Sequence, residues 1–187
     1  MTEAAPIRAL ALLGSLRAKS LNRMLLNAAL AQAPEGLVLT EATGLDALPH
    51  FNEDIEAAGD PPAVVAFKAA LAGAQAVLVV SPEYNSGPPG VLKNAIDWGS
   101  RGANPWRGMP VALMSASPGA LGGARVQAQL RASFSGMGTM VLPGPDVLVG
   151  QAGSRFDAEG KLTDATTLKL VAAHLARLRD LARALGR

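Results

Sequence analysis

Three short segments of this chain gather the residue types that could do chemistry. The first is Gly14-Ser15-Leu16-Arg17-Ala18-Lys19-Ser20-Leu21-Asn22. Ser15, Ser20 and Asn22 supply side-chain donors, and Arg17 supplies a planar fork that matches phosphate oxygens. Ser20 also suits the cap of a helix beginning at Leu21, whose first-turn N–H groups would then meet an anion. The Gly-Lys-Ser/Thr ending of a Walker loop is missing, and so is Gly-x-Gly-x-x-Gly. What remains is a cradle of hydroxyls and amides suited to a terminal monophosphate. Taken by itself, the segment equally suits an ordinary capped helix with a solvated arginine.

The second segment is Ser81-Pro82-Glu83-Tyr84-Asn85-Ser86-Gly87-Pro88-Pro89-Gly90. Its prolines and glycines fix the backbone where it would approach a planar ligand closely. Tyr84, the one tyrosine of the chain, could lie beside a flat ring, with Asn85 and the loop amides on the ring's polar edge. A stiff turn that merely starts the next helix is the plainer alternative. The third segment, Ser115-Ala116-Ser117-Pro118-Gly119-Ala120-Leu121-Gly122-Gly123-Ala124-Arg125, exposes backbone amides at a helix start, where negative charge is stabilised. Alone it reads as a glycine-rich turn that needs positive φ. Together the three segments offer phosphate chemistry, a rigid aromatic wall and a row of amides. That set fits a mononucleotide with a large flat ring.

Composition narrows the chemistry further. The chain has 187 residues and no cysteine, which excludes disulfides, thiolate metal sites, iron–sulfur clusters and a catalytic thiol. His50 and His174 are the only histidines, too few for a multi-histidine metal centre, so no metal is expected. Any redox chemistry must come from a bound cofactor. Net charge is +2 with no Lys/Arg cluster of the nucleic-acid-binding kind. No apolar run approaches the roughly 20 residues of a membrane span. The opening residues 1–8 show no signal peptide, which makes the cytoplasm the expected location.

The elements that must position these segments are legible as alternating patterns. Residues 7–13 (IRALALL) are an apolar run ended by Gly14, the mark of a buried strand. Helical spacing follows over 21–33, then a short strand over 37–40. Residues 45–62 read as a loop with acids and prolines, too long for idle linkage. A helix is expected over 63–71 and a strand over 76–80 (AVLVV). A helix over 91–98, a strand over 111–114 and a helix over 123–133 come next. The fifth strand lies at 140–142, continuing at 147–149, and a long helix closes the chain over 163–185. Continuous apolar strands alternating with helices define an α/β fold with a parallel sheet covered on both faces. Five strands favour the flavodoxin-like, doubly wound order in one domain over residues 1–187. Ligands of such sheets bind beyond the carboxyl ends of the strands, which is where all three segments fall.

These motifs are also familiar as a set. Gly14-Ser15-x-Arg17-x-x-Ser20-x-Asn22, Pro82-Glu83-Tyr84-Asn85 running into Pro89-Gly90-x-Leu92-Lys93-Asn94-Ala95-Ile96-Asp97-Trp98, and Ser117-Pro118-Gly119-x-x-Gly122-Gly123-x-Arg125 resemble the NADPH-dependent FMN reductase family. Leu48-Pro49-x-Phe51-Asn52-x-Asp54 extends the similarity into the long loop. The resemblance implies non-covalent FMN between the three loops. Ser15, Arg17, Ser20 and Asn22, with Leu21 among them, would hold its phosphate. Pro82, Glu83, Tyr84 and Asn85 would line its ring, and Ser117 and Gly119 would meet its pyrimidine side. It further implies homodimers, often paired into homotetramers, with the long loop near the neighbouring subunit's flavin. Ser86-Gly87-Pro88 departs from the bulkier residues of the family pattern.

The expected function is therefore hydride transfer from NADPH or NADH to bound FMN and then to a quinone or similar small acceptor. No acidic or basic side chain is expected to be indispensable for the transfer. The alternative is a flavodoxin-type electron carrier without its own NAD(P)H oxidation; such carriers usually present an acidic face, and this chain is mildly basic. Trp98 and Trp106 are expected as core or interface anchors. Arg101 and Arg107 are candidates, by position alone, for a donor's 2′-phosphate.

Overall fold

The computed structural model describes residues 5–187; residues 1–4, the start of the segment read for a leader, lie outside the described residues. The elements run β1 (Ile7–Leu13), α1 (Leu21–Ala31), β2 (Leu37–Glu41), α2 (Glu53–Ala58), α3 (Pro62–Ala72), β3 (Ala76–Val80), α4 (Gly90–Gly99), β4 (Pro110–Ala116), α5 (Ala124–Gly136), β5 (Met140–Val141), β6 (Val147–Val149) and α6 (Ala165–Ala184). All strand pairs are parallel, in the order β2-β1-β3-β4-β5, with β6 also on β4. This is the flavodoxin-like doubly wound order. The chain winds outward from β1 to β2, then from β3 to β4 and β5, so β1 and β3 flank the switch point where ligands bind.

Every residue of β3 and β4 is buried, as the apolar runs require. Successive side chains go to opposite faces. Ala9, Ala11, Leu78, Val80 and Met114 pack under α1 and α6, whereas Leu10, Leu12, Val77, Val79 and Leu113 pack under α3, α4 and α5. Two cores sandwich one sheet, which fixes the height of all the strand ends on each side.

Two expectations are corrected. Among the described residues the sheet has six strands, because 140–141 and 147–149 are separate strands on the same neighbour rather than one continuing strand. Pro143 and Pro145 lie between them and lack the N–H a ladder needs. The long loop is also partly helical. Residues Leu45–Ala47 form a 3-10 turn and α2 follows, capped by Asn52, whose side chain accepts from Asp54 N at 2.8 Å. Asn followed by acids is an N-cap signal that the prolines and acids of the segment obscured.

The tryptophans prove to be core residues. Trp98 and Trp106 are fully buried within this chain, so neither can anchor contact with a second subunit. The Trp98 indole N–H donates to Pro49 O at 2.8 Å, and its ring meets Phe51 edge-on with centroids 5.0 Å apart. Asn94 adds bonds from its side-chain amide to Pro49 O (2.9 Å) and from Phe51 N to its Oδ1 (2.8 Å). The Leu-Pro-x-Phe segment is thereby fastened to α4.

Candidate functional site

The carboxyl ends of β1, β3 and β4 are stepped against one another by backbone bonds. Gly14 N donates to Val80 O at 2.9 Å, Ser81 N to Met114 O at 3.0 Å and Ser117 N to Val149 O at 3.0 Å. The loops that follow enclose a cavity of about 280 Å³. Its lining includes Ser15, Arg17, Ser20, Leu21 and Asn22 from the first loop and α1, Pro82, Glu83 and Tyr84 from the second, and Ala116, Ser117 and Pro118 from the third. Asn85 and Gly119 adjoin it in sequence without lining it.

The first loop keeps polar capacity in reserve. Ser15 is only 5% exposed, and its Oγ has no hydrogen-bond partner. A buried hydroxyl without a partner costs free energy that a ligand oxygen would recover. Ser20 is the N-cap of α1; its Oγ accepts from Arg23 N at 2.9 Å, which leaves its own proton to donate. The first-turn amides of Leu21 and Asn22 have no acceptor within the helix. Arg17 is exposed and holds only Lys19 O, at 3.3 Å. Asn22 is buried and largely committed elsewhere: its Nδ2 donates to Ala116 O and its Oδ1 accepts from Ala116 N, both at 2.9 Å. It ties α1 to the end of β4 and so sets the distance between the first and third loops.

The second loop divides its labour. Glu83 spends its carboxylate on α5. It accepts from Arg125 N at 3.1 Å and Val126 N at 3.2 Å, and pairs with the Arg125 guanidinium at 2.6 Å. Helix α5 starts at Gly123, which has no side chain to cap it, so Glu83 caps it from another loop. Tyr84 and Gly87 exchange backbone bonds of 3.0 Å across a tight turn in which Asn85 and Ser86 have φ of 50° and 66°. Gln129 of α5 steadies that turn by donating to Ser86 O at 2.6 Å. Tyr84 emerges on the cavity wall 48% exposed.

The third loop has fewer spare amides than its glycines suggest. Ser117 N is used by Val149, Gly119 N donates to Ser117 Oγ at 3.1 Å, and Gly122 N reaches Gly119 O. The Ser117 hydroxyl, already an acceptor, keeps its proton to donate. Gly122, at φ 58°, is required by space as well as conformation, because a Cβ there would stand 2.7–2.9 Å from the backbone of β6 and Gly150. Ser115 holds the loop's far end, donating to Gly122 O at 2.6 Å while accepting from Gln127 Nε2.

Sequence reasoning missed Glu83 as a cap and Asn22 as a tie, since each depends on a residue at least 40 positions away. Arg101 and Arg107 were candidates, by position alone, for a donor's 2′-phosphate. Neither Arg101 nor Arg107 lines the cavity; Arg101 pairs with Glu56 at 2.9 Å and lies over the Phe51 ring. His50 is exposed in the long loop, and His174 is buried in α6, away from all three loops. Among the described residues no three His, Asp or Glu side chains come together as a metal site.

A doubly wound sheet with hydroxyls at a helix start, a rigid Tyr-Asn turn and a glycine loop at its switch point defines a flavodoxin-like mononucleotide-binding protein. The chain belongs to the NADPH-dependent FMN reductase family, whose model matches residues 7–154. It is 39% identical over 173 residues to an NAD(P)H-dependent FMN reductase of Pseudomonas aeruginosa, covering 92% of this chain and 93% of the other. It is 42% identical over 155 residues to a quinone reductase of Pseudomonas putida, covering 82% and 83%. The solved structure of FerB, a flavoenzyme NAD(P)H:(acceptor) oxidoreductase from Paracoccus denitrificans, superposes with a TM-score of 0.86 at 32% identity, covering 95% of this chain and 98% of that one. This chain is accordingly an FMN-dependent oxidoreductase of the NAD(P)H-oxidising kind.

Proposed function

We propose that the chain, acting as one domain, passes electrons from NADPH or NADH through FMN to a quinone or similar small acceptor. The carrying observation is the unpartnered Oγ of buried Ser15 in a cavity walled by all three loops. When bound, FMN supplies the two-electron chemistry. The protein's part is to bind, orient and leave access. Ser15, Arg17 and Ser20 hold the phosphate with the α1 amides of Leu21 and Asn22. The Pro82–Glu83 backbone, Tyr84 and Asn85 line the ring, and Ser117 with Gly119 meets its pyrimidine edge. Tyr84, half exposed, leaves one side of the cavity open for donor and acceptor to exchange. No histidine or carboxylate is needed at the reacting atoms, since hydride transfer requires no general base. A flavodoxin-type carrier for protein partners fits less well, because a relative is an NAD(P)H-dependent FMN reductase and the chain carries +2 rather than a net negative charge.

The test is a visible spectrum of the FMN-loaded protein before and after anaerobic addition of NADPH or, separately, NADH. Bleaching of the flavin bands supports the proposal, and an oxidised spectrum that ignores both donors ends it. The phosphate assignment has its own check. Losing a bond to a charged group costs roughly 1.5–3 kcal/mol. Arg17→Ala should therefore weaken FMN by about ten- to a hundredfold and leave riboflavin affinity nearly unchanged. An equal loss for riboflavin would place Arg17 elsewhere.

Leu16, Tyr84 and Leu121, on the three loops that border the site, are exposed apolar side chains. Such side chains on one rim suit a second copy closing over it, in a homodimer or homotetramer located in the cytoplasm. Among the described residues no helix is long and apolar enough to cross a membrane. Light scattering should give the mass of two or four chains; a monomer at working concentration overturns the assembly.

A further inference from the structure

A second cavity, of about 290 Å³, adjoins the first, and both are lined by Ser15 and Arg17. Its other wall stands where β2 ends. Glu41 is the last residue of β2, and its carboxylate takes both terminal nitrogens of Arg23 from α1, at 2.5 and 2.6 Å. The two side chains remain 27% and 30% exposed, so a ligand in the cavity can reach the pair. Thr43 and Asp46 continue the rim, and nothing lies within 4 Å of where a Cβ on Gly44 would be.

In the dinucleotide-binding class of doubly wound sheets, an acid in this region accepts from the ribose hydroxyls and an arginine beside it accommodates a 2′-phosphate. The glycine fingerprint that accompanies this arrangement is absent here, yet an acid and an arginine stand together at the end of β2, beside the phosphate loop. We propose that this cavity takes the adenosine ribose phosphate of a dinucleotide, with Glu41 and Arg23 reading its 2′ position. Two dinucleotides carry that group, the nicotinamide donor and FAD. The nicotinamide donor is the occupant, which rests on the function proposed above. Glu41 accepts from the 2′-hydroxyl of NADH. Arg23, released from Glu41, meets the 2′-phosphate of NADPH. Each donor engages one half of the pair, so the protein uses both.

The experiment measures kcat/KM for NADPH and NADH on FMN-loaded wild type, Glu41→Gln and Arg23→Gln. One charge-assisted contact corresponds to about ten- to a hundredfold in binding. Glu41→Gln should raise the NADPH-to-NADH preference by at least about tenfold, and Arg23→Gln should lower it by a similar factor. Opposite shifts cannot come from general loosening of the fold, which would move both variants the same way. Titration of adenosine 2′,5′-bisphosphate into the FMN-loaded proteins gives a readout without turnover: binding tightens in Glu41→Gln and weakens in Arg23→Gln. Unchanged preference in both variants, or shifts of the same sign, overturns the proposal. A comparison of FAD and FMN exchange on the full chain separates the two sources. FAD binding more tightly than FMN, with the excess lost in Glu41→Gln, gives the cavity to the cofactor's own adenosine and overturns the donor assignment. Wild-type protein that binds the bisphosphate but oxidises neither donor refutes the proposed function, not the nucleotide chemistry of the cavity.

Discussion

Trp98→Ala should lower the unfolding free energy by about 3–5 kcal/mol, the usual cost of emptying a large aromatic site in a core. Trp98 is fully buried in the core beneath α3, α4 and α5, and Lys68 lies 5.6 Å from its ring. Its removal also leaves Pro49 O without the indole N–H and Phe51 without its edge-on partner. For a chain of this length each kcal/mol moves the melting temperature by roughly 2–4 °C, so the loss should be obvious in a thermal scan. Trp98→Phe separates packing from hydrogen bonding. It keeps most of the apolar volume and deletes the N–H, and its cost should be about 1–3 kcal/mol. The 48–51 segment should become more open to proteolysis in both variants, because the bond from Trp98 to Pro49 is missing in each. A thermal scan in which Trp98→Ala melts within a degree or two of wild type would show that the indole is not the core member described here.

The second large effect is on acid stability. His174 is 1% exposed, and neither ring nitrogen has a hydrogen-bond partner. Burial is the main reason its pKa falls from 6.5 to about 4; the positive charge of Arg177 and, less, that of Arg131 add to this, while Asp146 and the nearby Leu113 backbone oppose it. The sign follows from proton binding. Between pH 6.5 and about 4 the unfolded chain binds a proton at this residue and the folded chain does not. Stability from the neutral ring is thus fully present above pH 6.5 and is lost as pH falls toward 4. The whole contribution is about 3 kcal/mol, of which about 2 kcal/mol is lost between pH 7.5 and pH 5. His174→Leu, which fills similar space without a titrating group, should remove that part of the pH slope. The measurement is urea unfolding of both proteins at the two pH values. Equal slopes in wild type and variant would show that His174 does not titrate on unfolding in this range. Asp146 is itself paired with Arg131, and Arg177 donates to the carbonyls of Pro143, Gly144 and Pro145. The comparison between variants cancels what those groups contribute to the slope.

Local pattern by itself determined a good deal of this protein. The strands at 7–13 and 76–80 were legible to the residue because short apolar runs, broken only by the exposed Arg8 in the first, suit a sheet buried on both faces. Their alternation with helices, and the handedness rule for crossovers, then left the doubly wound order as the simplest one, and with it the edge where a ligand binds. The phosphate-type loop was legible because a helix cap, a fork of donors and a glycine are neighbours in the chain, so their geometry is local. Tertiary structure decided whatever depends on partners far apart in sequence. Nothing near Glu83 reveals that its carboxylate caps α5 at Arg125 and Val126. Nothing near Asn22 reveals its two bonds to Ala116, and composition could not distinguish Trp98 and Trp106 as core residues from interface residues. The break between β5 and β6 depended on both segments finding the same neighbour, β4, on either side of two prolines. The pairing of Glu41 with Arg23 likewise formed only when α1 returned to the end of β2. Spacing along the chain sets backbone periodicity and local caps. Which polar groups remain unpaired, as Ser15 Oγ does, is decided only when every other donor and acceptor has found its place.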